Sequence, residues 1–260
     1  MYCKCTESYT LITEQFTGFY RMDRAIECDY YLLFFAHKVF IFSLFCSMTN
    51  FIPIFPLGIV VYPGENLNLH IFEPRYKQLI SESHVSGKEF GIPTVIEDRV
   101  QDYGSLVTVT DITKVHDNGE MDIRTKGSRV FRILEIIREV PDKLYSGAIV
   151  NYPDNYEDGS PDIMRRVINS IRELHKMLHV NKDFKKSDDE LKSYDVAHHV
   201  GFSLKEEYEL LGLMDERQRL EYLKRHLTKV IPLVAEMEQL KEKVKLNGHF
   251  KNLSSFNFEP

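Results

Sequence analysis

The sequence predicts an α+β protein in which a strand-forming half precedes a helix-forming half. Two observations carry the prediction. Between Phe51 and about Tyr152 the apolar residues alternate with polar ones or gather in short runs, while after "NYPDNYEDGSPD" they return every three or four residues. A third observation bounds the size: 260 residues, 43% hydrophobic and 28% charged, are enough for one large globular domain or two smaller ones.

The first 47 residues are expected to lie outside the folded body. They hold all four cysteines, Cys3, Cys5, Cys28 and Cys46. Their apolar run, "YYLLFFAHKVFIFSLFCS" at 30–47, is about as long as the shortest membrane spans but has His37 and Lys38 at its centre. A secretory signal needs a basic flank, and residues 1–29 are net acidic. "MTNFIPIFPL" runs straight into the patterned body, so Met48 reads best as the true start, with a membrane anchor at 30–47 the second reading.

The strand half is expected to span 48–152. "LNLHIF" places Leu67, Leu69 and Ile71 on one face and Asn68 and His70 on the other. Pro74 and Arg75 open a short helix with Tyr76, Leu79 and Ile80 on one side. Asn118 and Gly119 predict a hairpin turn with both residues at positive φ. "VFRILEIIREV", apolar on both faces, reads as a strand buried on both sides. Pro56, Pro63, Pro93 and Pro141 interrupt the runs, so every strand is expected to be short.

The helical half is expected to span 153–260, ending in a polar tail. Ser160 and Pro161 start a helix whose stripe is Ile163, Met164, Val167, Ile168, Ile171, Leu174 and Leu178. "LKSYDVAHHV" ends at Gly201. Ser203 with Glu206, and Asp215 with Gln218, have capping-box spacing. The last helix carries Leu220, Leu223, Leu227, Val230, Val234, Met237 and Leu240, with Pro232 expected to kink it. Together these helices read as a small bundle.

Few chemistries survive inspection. No phosphate loop, nucleophile elbow, zinc-peptidase helix or dinucleotide fingerprint occurs, so no enzyme class, catalytic residue or cofactor is assigned. No metal site is assigned either: Cys3 and Cys5 are too close for a C-x-x-C pair, and adjacent His198 and His199 diverge by about 100° on a helix. His175 and His179, at i and i+4, have ligand spacing without a third ligand. The net charge of −6 weighs against nucleic acid, although Arg124, Lys126, Arg129 and Arg132 with Phe131 form a modest basic patch.

One stretch is more specific. "IPIFPLGIVVYPGENLNLHIFEPRY" resembles the start of the Lon protease N-terminal, substrate-binding domain family: a Pro-Leu-like strand, a Pro-Gly turn and an Ile-Phe-Glu-Pro-Arg-Tyr junction. "GSRVFRILEI" at 127–136 and "VAHHVGFSLKEEYELLGLMDERQRLEYL" at 196–223 resemble later segments of that family. The resemblance covers about residues 51–240 and implies a PUA-like β pseudo-barrel followed by helices. It implies that Phe55, Pro56, Leu57, Pro63, Gly64, Leu69, Phe72, Glu73, Pro74, Arg75 and Tyr76 build the barrel and its junction. Without the family's ATPase and peptidase domains, the expectation is a free-standing, non-enzymatic cytoplasmic module that binds unfolded or damaged polypeptides, for a protease or a chaperone. Exposed apolar side chains would do the binding. RNA binding, which PUA-like barrels also perform, is the alternative.

Overall fold

The structure, a computed structural model, describes residues 50–251. The expectations for residues 1–47 and for the polar tail lie outside that range. The described residues all lie in one compact unit.

Six strands form one antiparallel sheet: β1 (Asn50–Pro53), β2 (Asn66–Ile71), β3 (Phe90–Ile96), β4 (Arg99–Val115), β5 (Met121–Ile137) and β6 (Gly147–Asn151). Their order is β1-β6-β5-β4-β3, with β2 added on β5. β5 is the hub. It pairs with β2 through Lys126 and with β6 from Arg132 onward. Past β1 the chain runs beside β3: Phe55 N–H donates to the Gly91 carbonyl at 2.8 Å, and Val95 N–H to the Leu57 carbonyl at 2.7 Å.

Three strand expectations need correction. β4 and β5 are 17 residues each, because the chain between Pro93 and Pro141 contains no proline to interrupt a ladder. Register shifts at Ser105/Val107, Val109/Asp111 and Ile112/Lys114 bend this long hairpin. Its turn also differs. Gly119 alone takes positive φ, 74°, and its N–H reaches the His116 carbonyl, so the connection is a longer loop closing on a left-handed glycine. In "VFRILEIIREV", Val130 and Phe131 are buried but Leu134 and Ile136 are exposed, since β5 outruns β4 beyond Arg132 and keeps only β6 beside it.

The helices are α1 (Pro74–Ser86), α2 (Pro161–Met177), α3 (Ser193–Val196), α4 (Leu204–Leu211) and α5 (Glu216–Lys251), with a 3-10 turn at Ala197–His199. α1 buries Tyr76, Leu79, Ile80 and Ser83 and stops at left-handed Gly87, φ 65°. Ser203 and Glu206 form the reciprocal capping box at α4. Ser160 precedes α2 but its hydroxyl makes no cap bond; Pro161 holds the first position. At α5 the Asp215 carboxylate accepts the Arg217 N–H at 2.8 Å.

The core has three parts. Phe55, Ile71, Tyr76, Leu79, Ile80 and Phe90 fill the space between the sheet and α1. Ile52, Ile54, Leu106, Phe131, Ala148 and Val150 form a second cluster. The third contains the helix stripes, Met164 to Leu174 on α2 and Leu220, Leu223 and Leu227 on α5, together with Val60, Tyr62 and Val130 from the strand half. The strand and helix halves therefore share a packed seam.

Candidate functional site

The residues implied by the Pro-Leu to Glu-Pro-Arg-Tyr stretch are distributed unevenly. Phe55 and Tyr76 are buried with ring centroids 3.9 Å apart, and Leu57 and Leu69 pack against the same cluster. Pro56 and Pro63 are half-buried, and Gly64 turns the chain at φ 85°. The Glu73 carbonyl accepts the N–H groups of Tyr76 and Lys77, which opens α1 behind Pro74. Arg75 pairs with the Glu73 carboxylate at 2.7 Å and lies 4.6 Å over the Tyr76 ring. Phe72 stands apart. It is 59% exposed, because Ile71 takes the inward position at the end of β2 and the period of two turns the next residue outward.

The seam contains a cleft of about 640 Å³ whose walls include Pro63, Gly64 and Lys126 from the strand half and Phe184, Tyr194 and His198 from the helical half. Aromatic rings and polar bonds fasten it. Tyr62 stacks on Tyr194 at 5.2 Å and donates its hydroxyl hydrogen to the Glu207 carbonyl at 3.1 Å. The Tyr103 N–H donates to the Tyr208 hydroxyl. Burial raises the Tyr194 hydroxyl to about 12, so it stays protonated.

His198 bridges the halves. Its Nδ1 lies 2.7 Å from a Glu207 oxygen and its Nε2 3.1 Å from Glu65 on the strand side. Burial disfavours its charged form, but the hydrogen bonds to Glu207 and Glu65 outweigh that and push it up to about 9. A raised folded value means stability fully present below the ordinary 6.5 and lost as pH climbs through about 9. With the side chain 38% exposed, solvent screening limits the effect to about 1–2 kcal/mol. Urea unfolding of the wild type should therefore weaken between those pH values, and His198→Gln should flatten that segment. A wild-type profile with no fall there would contradict the bridge.

The sequence-level histidine expectations resolve differently. His175 and His179 do not share a helix face, because α2 ends at Met177 and His179 is left-handed at φ 53°. His198 and His199 do diverge: His199 faces His175 and Phe184, with centroids 5.3 and 5.0 Å away. Sequence reading missed the convergence of His70 on β2, Asp122 on β5 and His116 in the turn after β4. In the basic patch, Arg129 lies 3.6 Å over the Tyr152 ring and Arg132 is 3.7 Å from Asp102.

α5 carries a row of exposed apolar side chains. Leu220, Leu223 and Leu227 are buried, whereas Leu233, Met237, Leu240 and Val244, at spacings of four, three and four, are 56–69% exposed. The helix outruns the elements it packs on, so its apolar residues start inside the core and end in solvent. Among the described residues, no helix is long and apolar enough to cross a membrane.

A family model described as the ATP-dependent protease La (LON) substrate-binding domain matches residues 52–229. A Lon N-terminal domain protein from Xanthomonas campestris is similar in structure at TM-score 0.52 and 25% identity, over 68% of this chain and 98% of that one. The N terminal domain of Mycobacterium avium complex Lon protease aligns at TM-score 0.50 and 16% identity, over 69% and 98%, a likeness of fold.

Proposed function

This chain belongs to the Lon substrate-binding domain family, and on that premise we propose that it binds unfolded or damaged polypeptides without transforming them. The observation that carries the proposal is the exposed row Leu233, Met237, Leu240 and Val244. An unfolded chain offers apolar side chains at irregular spacing. A long helix with a solvent-facing apolar row accepts them without demanding one sequence. Each apolar side chain buried is worth about 1.5–3 kcal/mol before the entropy of ordering the client is subtracted, so affinity is modest.

The platform is read as a PUA-like pseudo-barrel over 48–152 and a helical bundle over 153–260. The backbone bonds from Phe55 and Leu57 to β3 support the first, since they bring the start of the sheet beside its last strand. The packing of α2 on α5 supports the second. We place the protein in the cytoplasm, with a protease or a chaperone as recipient of the client. The cysteine-free body needs no oxidising compartment.

The test is fluorescence anisotropy of the full chain with a labelled unfolded polypeptide and, separately, a labelled structured RNA. The polypeptide is expected to bind, and the double substitution Met237→Asp and Leu240→Asp to weaken it at least tenfold while the melting temperature holds, because both side chains are already exposed. RNA binding that falls steeply with salt, with no polypeptide binding, would reverse the assignment in favour of an RNA module.

A further inference from the structure

We propose that the turn end of the β4–β5 hairpin is a binding site for a divalent transition-metal ion of the zinc class, held by His70, His116 and Asp122. His70 lies 52 residues before Asp122 and is brought to it by strand register, while His116 meets Asp122 across the hairpin turn. His70 on β2 lies directly opposite Asp122 on β5. On the other flank of β5, the His116 N–H bonds the Glu120 carbonyl where the hairpin closes. Residues opposite each other, and residues two apart, share a face of a sheet, so Glu120, Asp122, His70 and His116 project together.

The donor atoms already converge. Asp122 Oδ1 is 2.7 Å from His70 Nδ1, and Asp122 Oδ2 is 2.8 Å from His116 Nε2. One nitrogen from each ring and a carboxylate oxygen all lie within 4.8 Å of one another. A tetrahedral zinc ion holds such ligands at about 2.0–2.2 Å, which puts them about 3.3 Å apart, so the carboxylate withdraws by about half an ångström as the metal replaces the protons between it and the rings. The side chains are partly solvent-exposed and free to make that adjustment, while the paired strands β2 and β5 fix the backbones of His70 and Asp122 and the turn bond to Glu120 fixes that of His116.

A second feature fits a ligand role for His70. Its other nitrogen, Nε2, is 3.1 Å from Glu120 Oε2. A metal-bound imidazole characteristically donates its remaining N–H to a carboxylate, which sets the tautomer and aims the ring. Glu120 is itself positioned, since its backbone N–H bonds the Asn118 side chain at 3.1 Å. Two imidazoles and one carboxylate select zinc, cobalt, nickel or copper over magnesium or calcium, which prefer all-oxygen sets. The fourth position opens to solvent. The ion would clip β2 to the hairpin turn.

The experiment is titration of the full chain with Zn²⁺, followed by calorimetry and by thermal melting. One equivalent is expected to be lost, or weakened at least tenfold, in His70→Gln and again in His116→Gln, and the Zn²⁺-induced rise in melting temperature should disappear with it. Cys3, Cys5, Cys28 and Cys46 are alternative ligands, and Co²⁺ separates them: thiolate ligation gives an intense near-ultraviolet charge-transfer band, whereas this site gives only ligand-field bands that the histidine variants abolish. Circular dichroism establishes that each variant folds, and Asp122→Asn reads the same loss through a different ligand. Zn²⁺ binding unchanged in all three variants, or a Co²⁺ spectrum wholly of thiolate origin, overturns the proposal.

Discussion

Arg219→Ala is expected to destabilise the protein by about 3–5 kcal/mol, a large part of the stability of an ordinary domain. The guanidinium is 1% exposed, and the Glu216 carboxylate beside it 4%. Arg219 Nη2 donates to Glu216 Oε2 at 2.8 Å, Nε to the Ser193 hydroxyl at 2.8 Å, and Nη1 to Asn155 Oδ1 at 2.8 Å and the Leu213 carbonyl at 2.6 Å. The group also lies 4.3 Å over the Tyr194 ring, which itself stacks on Tyr62 at the seam. Removing the arginine leaves Glu216 with only the Ser193 N–H and hydroxyl as donors, in a setting that cannot solvate a carboxylate. Chemical unfolding checks the magnitude. A double-mutant cycle with Glu216→Leu and Arg219→Met separates the pair's coupling from packing: the double variant should be milder than the worse single. A loss below about 1 kcal/mol for Arg219→Ala would mean that the network is not what joins α3, α4 and α5.

Arg219 also shows which parts of the molecule were legible beforehand. In the sequence it is an ordinary cation on an amphipathic helix, three residues after Glu216, a spacing typical of a solvated ion pair. Its burial follows from α3 folding over it, and no local pattern announces that. Local signals are legible in the sequence: the switch from period two to period 3.6, the Ser203 and Glu206 box, and the Leu220, Leu223 and Leu227 stripe depend on residues close in sequence. The two-residue turn at Glu97 and Asp98, both at positive φ, carries neither glycine nor asparagine and so escaped notice. His70 meets His116 and Asp122 only through strand register, and a sequence specifies register through contacts it does not display. The same limit applies to α5. Periodicity marks Met237 and Leu240 as one face of a helix, but whether a partner covers that face depends on where the other elements end.

The "GSRVF" stretch supplies the second large effect, and here the cause is space. Gly127→Ala is expected to destabilise by about 3 kcal/mol. A Cβ at that position would lie 2.4 Å from the Tyr62 carbonyl oxygen and 3.3 Å from its carbon. Backbone cannot swing aside as a side-chain tip does. The crossing segment is pinned on both sides: the Gly64 N–H donates to the Gly127 carbonyl at 2.9 Å, the Gly127 N–H to the Glu65 carbonyl at 2.8 Å, and the Tyr62 N–H to the Glu65 carboxylate at 2.9 Å. These bonds occupy the edge of β5 between its pairing with β2 and its pairing with β6, so relieving the clash breaks the joint where the sheet changes partner. Tyr62 must then move, and with it the ring that stacks on Tyr194 across the seam. Gly64→Ala is the control. That position has φ 85° but open space around it, so the substitution costs only the left-handed backbone penalty of about 1–2 kcal/mol. Urea unfolding of both variants should rank Gly127→Ala as the more damaging. The reverse order would show that the segment yields easily, and that close backbone approach at Gly127 does not hold the two halves in register.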